Sequence, residues 1–220
     1  MLKIGIILFA FTPLLQLGAG HAHAVKVINL QPEKAAALEG HFSTMKGAPI
    51  YALGYVDEGN RKTYGVYIPK GLSFLYNLDW NSEIKGLNDF PQEDWPPVNF
   101  VFQVYHIMVG AGVLMIVFGL LGGYFLWTKK IDDNRWYLAL LPLMIPLPHI
   151  ARETGWMSAE VGRQPWIIYK LMKTGHAVSV VVTPGEILFS LIMFFLLYLL
   201  LAVMFVKIFV KIVQKGPAVS

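Results

Sequence analysis

Four long apolar runs constrain this chain more than any other feature, because each is long enough to cross a lipid bilayer. An α-helix rises 1.5 Å per residue, so about 20 apolar residues span a hydrocarbon core of about 30 Å. The chain has 220 residues, of which 55% are hydrophobic and only 15% are charged. The sequence therefore predicts an all-α membrane protein with four transmembrane helices and one long extracytoplasmic loop.

The apolar runs and the polar stretches between them predict the domain boundaries. We expect transmembrane helix 1 at residues 1–24, an outer loop at 25–97, helix 2 at 98–127, helix 3 at 136–156, a second outer loop at 157–186, helix 4 at 187–213 and a cytoplasmic tail at 214–220. The first run also resembles a secretory signal peptide, since it ends in small residues after an apolar core. Its length favours a retained helix.

The basic residues indicate orientation in the membrane. The formal charge is +4 and the pI about 9.2, but lysines and arginines are scattered and never exceed two in succession, which argues against nucleic acid. Lys129, Lys130 and Arg135 lie between the second and third runs. Together with the tail lysines they predict cytoplasmic ends, and hence a multi-pass protein of the inner membrane whose long loop faces outward. Zero cysteines exclude disulfides and thiolate-bound metals.

Residues 155–166, GWMSAEVGRQPW, carry an unusual density of polar and aromatic groups at a predicted membrane edge. Trp156 is typical of an interfacial aromatic belt, and Glu160 and Arg163 are spaced as a helix-end ion pair. Ionisable residues at membrane depth, however, are costly unless they are paired, hydrated or ligated. The residues alone leave both the structural and the functional interpretation open.

Two further positions are ambiguous on chemistry alone. Lys34 and Glu39 follow Pro32 in a good helix start, so they fit a solvated helix face. A lysine and a glutamate are also the groups that a hydroquinone needs, namely a hydrogen-bond donor and a proton acceptor. Met108 lies in an apolar helix, where methionine is ordinarily core filling.

The order of these residues resembles subunit I of the cytochrome bd-type quinol oxidases. GW-x-x-x-E-x-GRQPW is similar to a signature near the end of that subunit, and residues 183–190 are similar to its entry into the last helix. Residues 31–40 resemble the start of its quinol-binding loop. Residues 104–110 resemble the segment whose methionine ligates a haem.

The resemblance implies roles for individual residues in quinol oxidation and haem binding. Lys34 and Glu39 would bind quinol and take its proton, and Met108 would be an axial ligand of the low-spin b haem. Glu160 would be the axial carboxylate of the high-spin b haem in the second outer loop region. Arg163 would then neutralise haem propionates, and electrons would pass by Trp156.

One position departs from the family pattern. His106 stands two residues before the methionine, where family members usually have arginine. The resemblance leaves two interpretations of this difference. Either His106 still contacts a haem propionate, or the surroundings of that haem have changed.

The resemblance covers nearly the whole chain but only the back part of the family subunit. It implies a quinol:oxygen oxidoreductase that uses low-spin and high-spin haem b, with haem d or a b-type substitute at the oxygen site and quinol as substrate. We expect a separate polypeptide to supply the front helices of subunit I, with a subunit II, small membrane subunits and lipid as further partners. The alternative is a non-catalytic membrane haem electron-transfer or assembly subunit that does not reduce oxygen.

Overall fold

A computed structural model describes residues 2–179 and 181–216 of the chain. Three helices in this part are long and apolar enough to cross a membrane. They have 29, 30 and 32 residues, which exceeds the roughly 20 that a bilayer requires. The chain divides into two compact units, residues 1–176 and 177–220.

The elements of the first unit follow one another in this order. The helices and strands are α1 (Leu2–Leu30), α2 (Pro32–Leu38), β1 (Met45–Lys46), β2 (Ile50–Asp57), β3 (Lys62–Ile68), α3 (Gly71–Asn77), β4 (Glu83–Ile84), α4 (Val98–Trp127), α5 (Arg135–Leu140), α6 (Leu147–Val161), β5 (Trp166–Ile168) and β6 (Met172–Lys173). Short 3-10 turns cover Leu87–Asp89, Gln92–Asp94, Leu141–Met144 and Thr174–His176. The second unit contains α7 (Pro184–Lys215).

Helix α1 is longer than predicted and continues six residues past residue 24 to Leu30. Its additional turns pack Ala24 and Ile28 against a small core in the long loop that includes Leu72 and Tyr76. In its N-terminal half, α1 packs closely on α4, where a Cβ at Gly119 would lie 2.6 Å from the carbonyl oxygen of Phe9. Small residues permit this backbone approach between apolar helices.

The predicted third span is not one continuous helix: three long apolar helices are found in the described residues, and a fourth transmembrane span stays a prediction. Residues 136–156 fall in α5, the 3-10 turn Leu141–Met144 and α6. Pro142, Pro146 and Pro148 account for the break, because proline lacks an amide donor and its ring clashes with the preceding turn. Pro148 lies in the first turn of α6, where proline is tolerated.

The broken segment nevertheless follows α4 along its length in the opposite direction. Near the end of α4, the hydroxyl of Tyr137 donates to the carbonyl oxygen of Phe118 at 3.0 Å. Further back, a Cβ at Gly155 would lie 2.8 Å from the sulfur of Met108. Residues 135–161 therefore run from the C-terminal end of α4 towards its N-terminal end.

The described residues are mostly helical, as predicted, but the polar regions also hold three two-stranded antiparallel sheets. The largest pairs β2 with β3. Both strands are rich in tyrosine, valine and isoleucine, which favour extended backbone, and the turn between them contains Gly59 and Asn60. Asn60 closes that turn by donating to the carboxylate of Asp57 at 2.8 Å.

The long loop is ordered by its own apolar core, which joins it to the first turns of α4. Phe42, Val56 and Leu87 of the loop pack with Val101 and Phe102 of α4, and all five are buried. The chain leaves α2 through Gly40, whose φ of +60° is a conformation that glycine adopts without strain. This tight exit fixes the position of the preceding Glu39.

Helix α7 begins at a capping box. The amide of Glu186 donates to the hydroxyl of Thr183 at 3.4 Å, and the amide of Thr183 donates to the Glu186 carboxylate at 2.8 Å. Within its own unit every described side chain of α7 is exposed, as expected for an apolar helix that meets lipid. Its bounds exceed the predicted 187–213 at both ends.

Candidate functional site

Lys34 lies in the first turn of α2 and reaches the C-terminal end of α6. Its Nζ donates to the carbonyl oxygen of Ala159 at 2.8 Å. Burial lowers the pKa of Lys34, the nearby Glu160 carboxylate opposes that shift, and the Arg163 guanidinium adds to it. We call these four residues the lysine site.

Glu160 and Arg163 form an ion pair within the lysine site, one helical turn apart, with 2.5 Å between Oε2 and Nη2. Their side chains are 41% and 44% exposed, so the pair is open to its surroundings. The pair engages Oε2 of the carboxylate, and Oε1 takes no part in it. Trp156, one turn earlier in α6, is exposed.

The hairpin that follows α6 ties this region to the start of the long loop. Tyr169 donates its hydroxyl proton to the buried carboxylate of Glu33, and Lys170 lies 3.6 Å from the other oxygen. Burial, and next the contact with Glu33, raise the pKa of Tyr169. Lys173 forms an ion pair with Asp94 at 2.8 Å. The sequence did not predict these contacts, because pairs 79 to 137 positions apart leave no local pattern.

Glu39 lies at the other end of α2 in an apolar environment. It is 1% exposed, and Tyr76 donates to its Oε1 at 3.3 Å. Its Oε2 has no hydrogen-bond partner among the described residues. Burial raises the pKa of Glu39 to about 7, although contacts with the hydroxyls of Tyr105 and Tyr76 oppose the shift. We call Glu39, Tyr76 and Tyr105 the carboxyl site.

Lys34 and Glu39 therefore contact different parts of the chain. They are five residues apart, which is about 140° around a helix of 100° per residue. The lysine faces the end of α6, whereas the glutamate faces α3 and α4. The sequence prediction grouped them in one site, and the structure gives each its own surroundings.

His106 does not present a free nitrogen. Its Nδ1 lies 2.8 Å from the carbonyl oxygen of Phe102, and its Nε2 lies 2.8 Å from that of Tyr51. The ring also stacks on Phe102 with 3.8 Å between centroids. His106 therefore joins α4 to β2, and in this arrangement neither nitrogen is available to a haem propionate.

Met108 lies two residues further along α4 and faces α6. Its sulfur packs on Gly155, the residue before Trp156, so the predicted low-spin haem ligand adjoins the helix that carries Glu160. The side chain is half-buried, and its thioether carries no hydrogen that would need a partner. A flexible thioether and a carboxylate with one oxygen unengaged by its ion pair are donors that fit haem iron.

One further buried group, His41, was not predicted from the sequence. His41 is 5% exposed, and its Nε2 has no hydrogen-bond partner in residues 2–179 and 181–216. Burial lowers its pKa, so the neutral ring is favoured. No local pattern distinguishes this histidine from a loop residue.

Comparison with known proteins gives the family of this chain. Residues 1–217 match the family model for cytochrome bd terminal oxidase subunit I. Two subunit I proteins of Bacillus subtilis (strain 168) are similar. One, named for a cytochrome bd menaquinol oxidase, is 38% identical over 172 residues, which is 76% of this chain. The other, named for a cytochrome bd ubiquinol oxidase, is 35% identical over 187 residues, which is 80% of this chain.

A solved structure shares the fold. The bd oxidase from Geobacillus thermodenitrificans superposes with a TM-score of 0.81 at 31% identity, covering 98% of this chain and 49% of that chain. The matched region is 38% and 40% of the two Bacillus subtilis proteins, so this chain spans less than half the length of its relatives. With the family model matching almost every residue, the chain belongs to the cytochrome bd terminal oxidase subunit I family.

Proposed function

We propose that this chain is the quinol-oxidising part of a membrane cytochrome bd-type quinol:oxygen oxidoreductase. The observation that carries the proposal is the carboxyl site, where a buried glutamate with a pKa of about 7 has one oxygen without a partner. A group with that pKa can accept a proton at neutral pH and release it again. The similar proteins are named for ubiquinol and menaquinol, which supports a quinol as substrate.

Oxidation of a quinol breaks two O–H bonds and releases two protons and two electrons. Glu39 accepts a proton at Oε2 as an electron leaves the ring. Lys34 donates a hydrogen bond to a quinol oxygen, which requires its ammonium to turn from the carbonyl of Ala159. Because burial lowers its pKa, Lys34 can also exchange a proton more readily than an exposed lysine.

Haem iron, when bound, supplies one-electron acceptors for the quinol electrons and the site of oxygen reduction. Met108 would hold the low-spin b haem, and Glu160 the high-spin b haem. Arg163 would balance propionate charge. Trp156 would line the path between them. The oxygen site would carry haem d or a b-type substitute.

We further propose that helices outside these 220 residues complete the haem sites. A low-spin haem held by Met108 would need a second strong ligand, and histidine is the expected one. His106 lies about 200° from Met108 on the same helix and is held by two carbonyl groups. A subunit II, small membrane subunits and lipid are the other expected partners.

The proposed location is the cytoplasmic membrane with residues 31–97 outside. The broken segment 135–161 would form the fourth crossing, since it follows α4 from end to end. This returns the chain to the outer face before α7 and leaves Lys129, Lys130 and Lys215 inside. Protease added to intact spheroplasts should cut within residues 31–97. Cutting there only from the cytoplasmic side would invert the topology.

The decisive experiment for the function uses the purified complete complex. We expect quinol-dependent oxygen consumption and a reduced-minus-oxidised spectrum that contains low-spin and high-spin haem bands. A complex with haem bands but no oxygen consumption would instead support the alternative, a haem electron-transfer or assembly subunit. Expression of these 220 residues alone should give membrane insertion with little low-spin haem. A full haem complement in that protein would overturn the proposal that other helices complete the haem sites.

A further inference from the structure

The carboxyl site is assembled from three separate elements. Glu39 ends α2, Tyr76 lies in α3, and Tyr105 lies in the first third of α4. Tyr76 is 4% exposed and donates to Glu39, and the side chain of Tyr105 adjoins both of them. In the described part of the chain, these two tyrosines are the titratable groups that face Glu39.

The two oxygens of the Glu39 carboxyl are not equivalent. Oε1 accepts a hydrogen bond from Tyr76, whereas Oε2 is buried and finds no partner within residues 2–179 and 181–216. A buried polar atom without a partner costs about 1–3 kcal/mol, so a purely structural role would be better served by an apolar side chain. The arrangement instead orients a carboxyl by one oxygen and leaves the other free.

We infer that Tyr76 and Tyr105 are positioning residues for quinol oxidation, which hold Glu39 so that its Oε2 meets the quinol hydroxyl. This inference rests on the proposed function, in which Glu39 is the proton acceptor. The quinol O–H bond breaks, the proton passes to Oε2, and the oxygen keeps the electron pair of that bond. As the electrons then leave for the acceptor already proposed, the second hydroxyl loses its proton to Oε2 after Glu39 has released the first one.

The tyrosines have a second consequence for the proton transfer. Both hydroxyls stabilise the ionised carboxylate and so oppose the effect of burial on the pKa of Glu39. Without one donor, Glu39 would hold its proton more tightly. The pH at which it becomes an active base would then rise.

The test compares Tyr76→Phe and Tyr105→Phe in the complete complex, with Tyr55→Phe as the matched control on the exposed face of β2. The measurement is kcat/KM for quinol between pH 5.5 and pH 9, with haem spectra recorded for each variant. We expect the midpoint to rise by about one pH unit, which lowers activity at pH 6 roughly tenfold while activity at pH 9 recovers. Tyr55→Phe should keep the wild-type profile.

Glu39→Gln, assayed in parallel, separates the positioning role of the tyrosines from the proposed function. If it is inactive and both tyrosine variants match Tyr55→Phe, the positioning role is overturned and the proposed function stands. If Glu39→Gln is active, the proposed function itself fails. Loss of the haem spectrum in either tyrosine variant would also overturn the inference, because the hydroxyl would then be needed for assembly.

Discussion

The two ends of α2 place their ionisable side chains in opposite environments. At the first turn, Lys34 is half-buried beside the charged pair Glu160 and Arg163 and donates to a backbone carbonyl. At the last turn, Glu39 is fully buried and faces two tyrosines. One seven-residue helix therefore separates a half-buried cation from a fully buried carboxyl group.

The two ends of α2 also contact different elements of the fold. The lysine site belongs to the end of α6, which carries the proposed haem carboxylate. The carboxyl site belongs to α3 and α4 and has no charged neighbour in the described residues. Substitutions at the first end should therefore affect haem and substrate binding, whereas substitutions at the second end should affect the proton step.

The largest expected effect is at the lysine site. Glu160→Ala should abolish the high-spin b haem signal and with it oxygen reduction, because a methyl group cannot ligate iron. Reduced-minus-oxidised spectra of the purified complex measure this loss. Glu153→Ala, in the same helix and exposed, is the matched control. Native spectra in Glu160→Ala would reduce Glu160 to an ion-pair partner of Arg163.

The next effect is at the carboxyl site. Glu39→Gln keeps the shape of the side chain but removes the proton acceptor, so quinol oxidation should fall by about 100-fold or more. Haem spectra should stay native, since Glu39 contacts none of the proposed ligands. Stopped-flow haem reduction by quinol reports the rate, with the exposed Glu83→Gln as control. Equal rates in the two variants would remove Glu39 from the reaction.

A smaller effect is expected from Lys34→Ala. A charge-assisted hydrogen bond contributes about 1.5–3 kcal/mol, so its loss should raise KM for quinol about tenfold or more. The turnover number should change less, because the base is intact. Steady-state kinetics with varied quinol separate the two constants, and the exposed Lys46→Ala serves as control. A fall in kcat at unchanged KM would contradict a binding role.

The smallest effect concerns the hairpin after α6. Tyr169→Phe removes the hydroxyl that bonds the buried Glu33, which should lower the free energy of unfolding by about 1–3 kcal/mol. Thermal denaturation of the complex, with exposed Tyr64→Phe as control, measures the change. An unchanged melting temperature would show that this contact does not hold the hairpin to the loop.

The sequence predicted the long apolar helices well because hydrophobic length is a local property. Helices α1, α4 and α7 arose where the apolar runs indicated. The break in residues 136–156 was foreseeable from three prolines, but proline is tolerated in membrane helices when neighbours satisfy the freed carbonyls. The hairpins were not predicted, although the alternating tyrosines of β2 and β3 are typical of strands.

The candidate residues were named from order along the chain, and their surroundings were not predictable in the same way. No sequence pattern around Glu39 indicates that Tyr76 and Tyr105 meet it, since they are 37 and 66 residues away along the chain. Nor does the spacing of Lys34 and Glu39 indicate that they face different helices. Residue identity gives the chemistry of a site, whereas the pKa of Glu39 depends on tertiary burial.

The role of Glu39 as proton acceptor is tested most directly by the pH dependence of quinol oxidation. We would measure it in three forms of the complete complex: wild type, Lys34→Ala and Glu39→Gln. The pKa of Glu39 is raised from 4.5 to about 7, and only the ionised carboxylate accepts a proton. In wild type, kcat/KM should therefore rise with pH through a midpoint near 7. Lys34→Ala should keep that midpoint at lower activity, and Glu39→Gln should lose it. The same midpoint in Glu39→Gln would contradict the assignment of the proton acceptor.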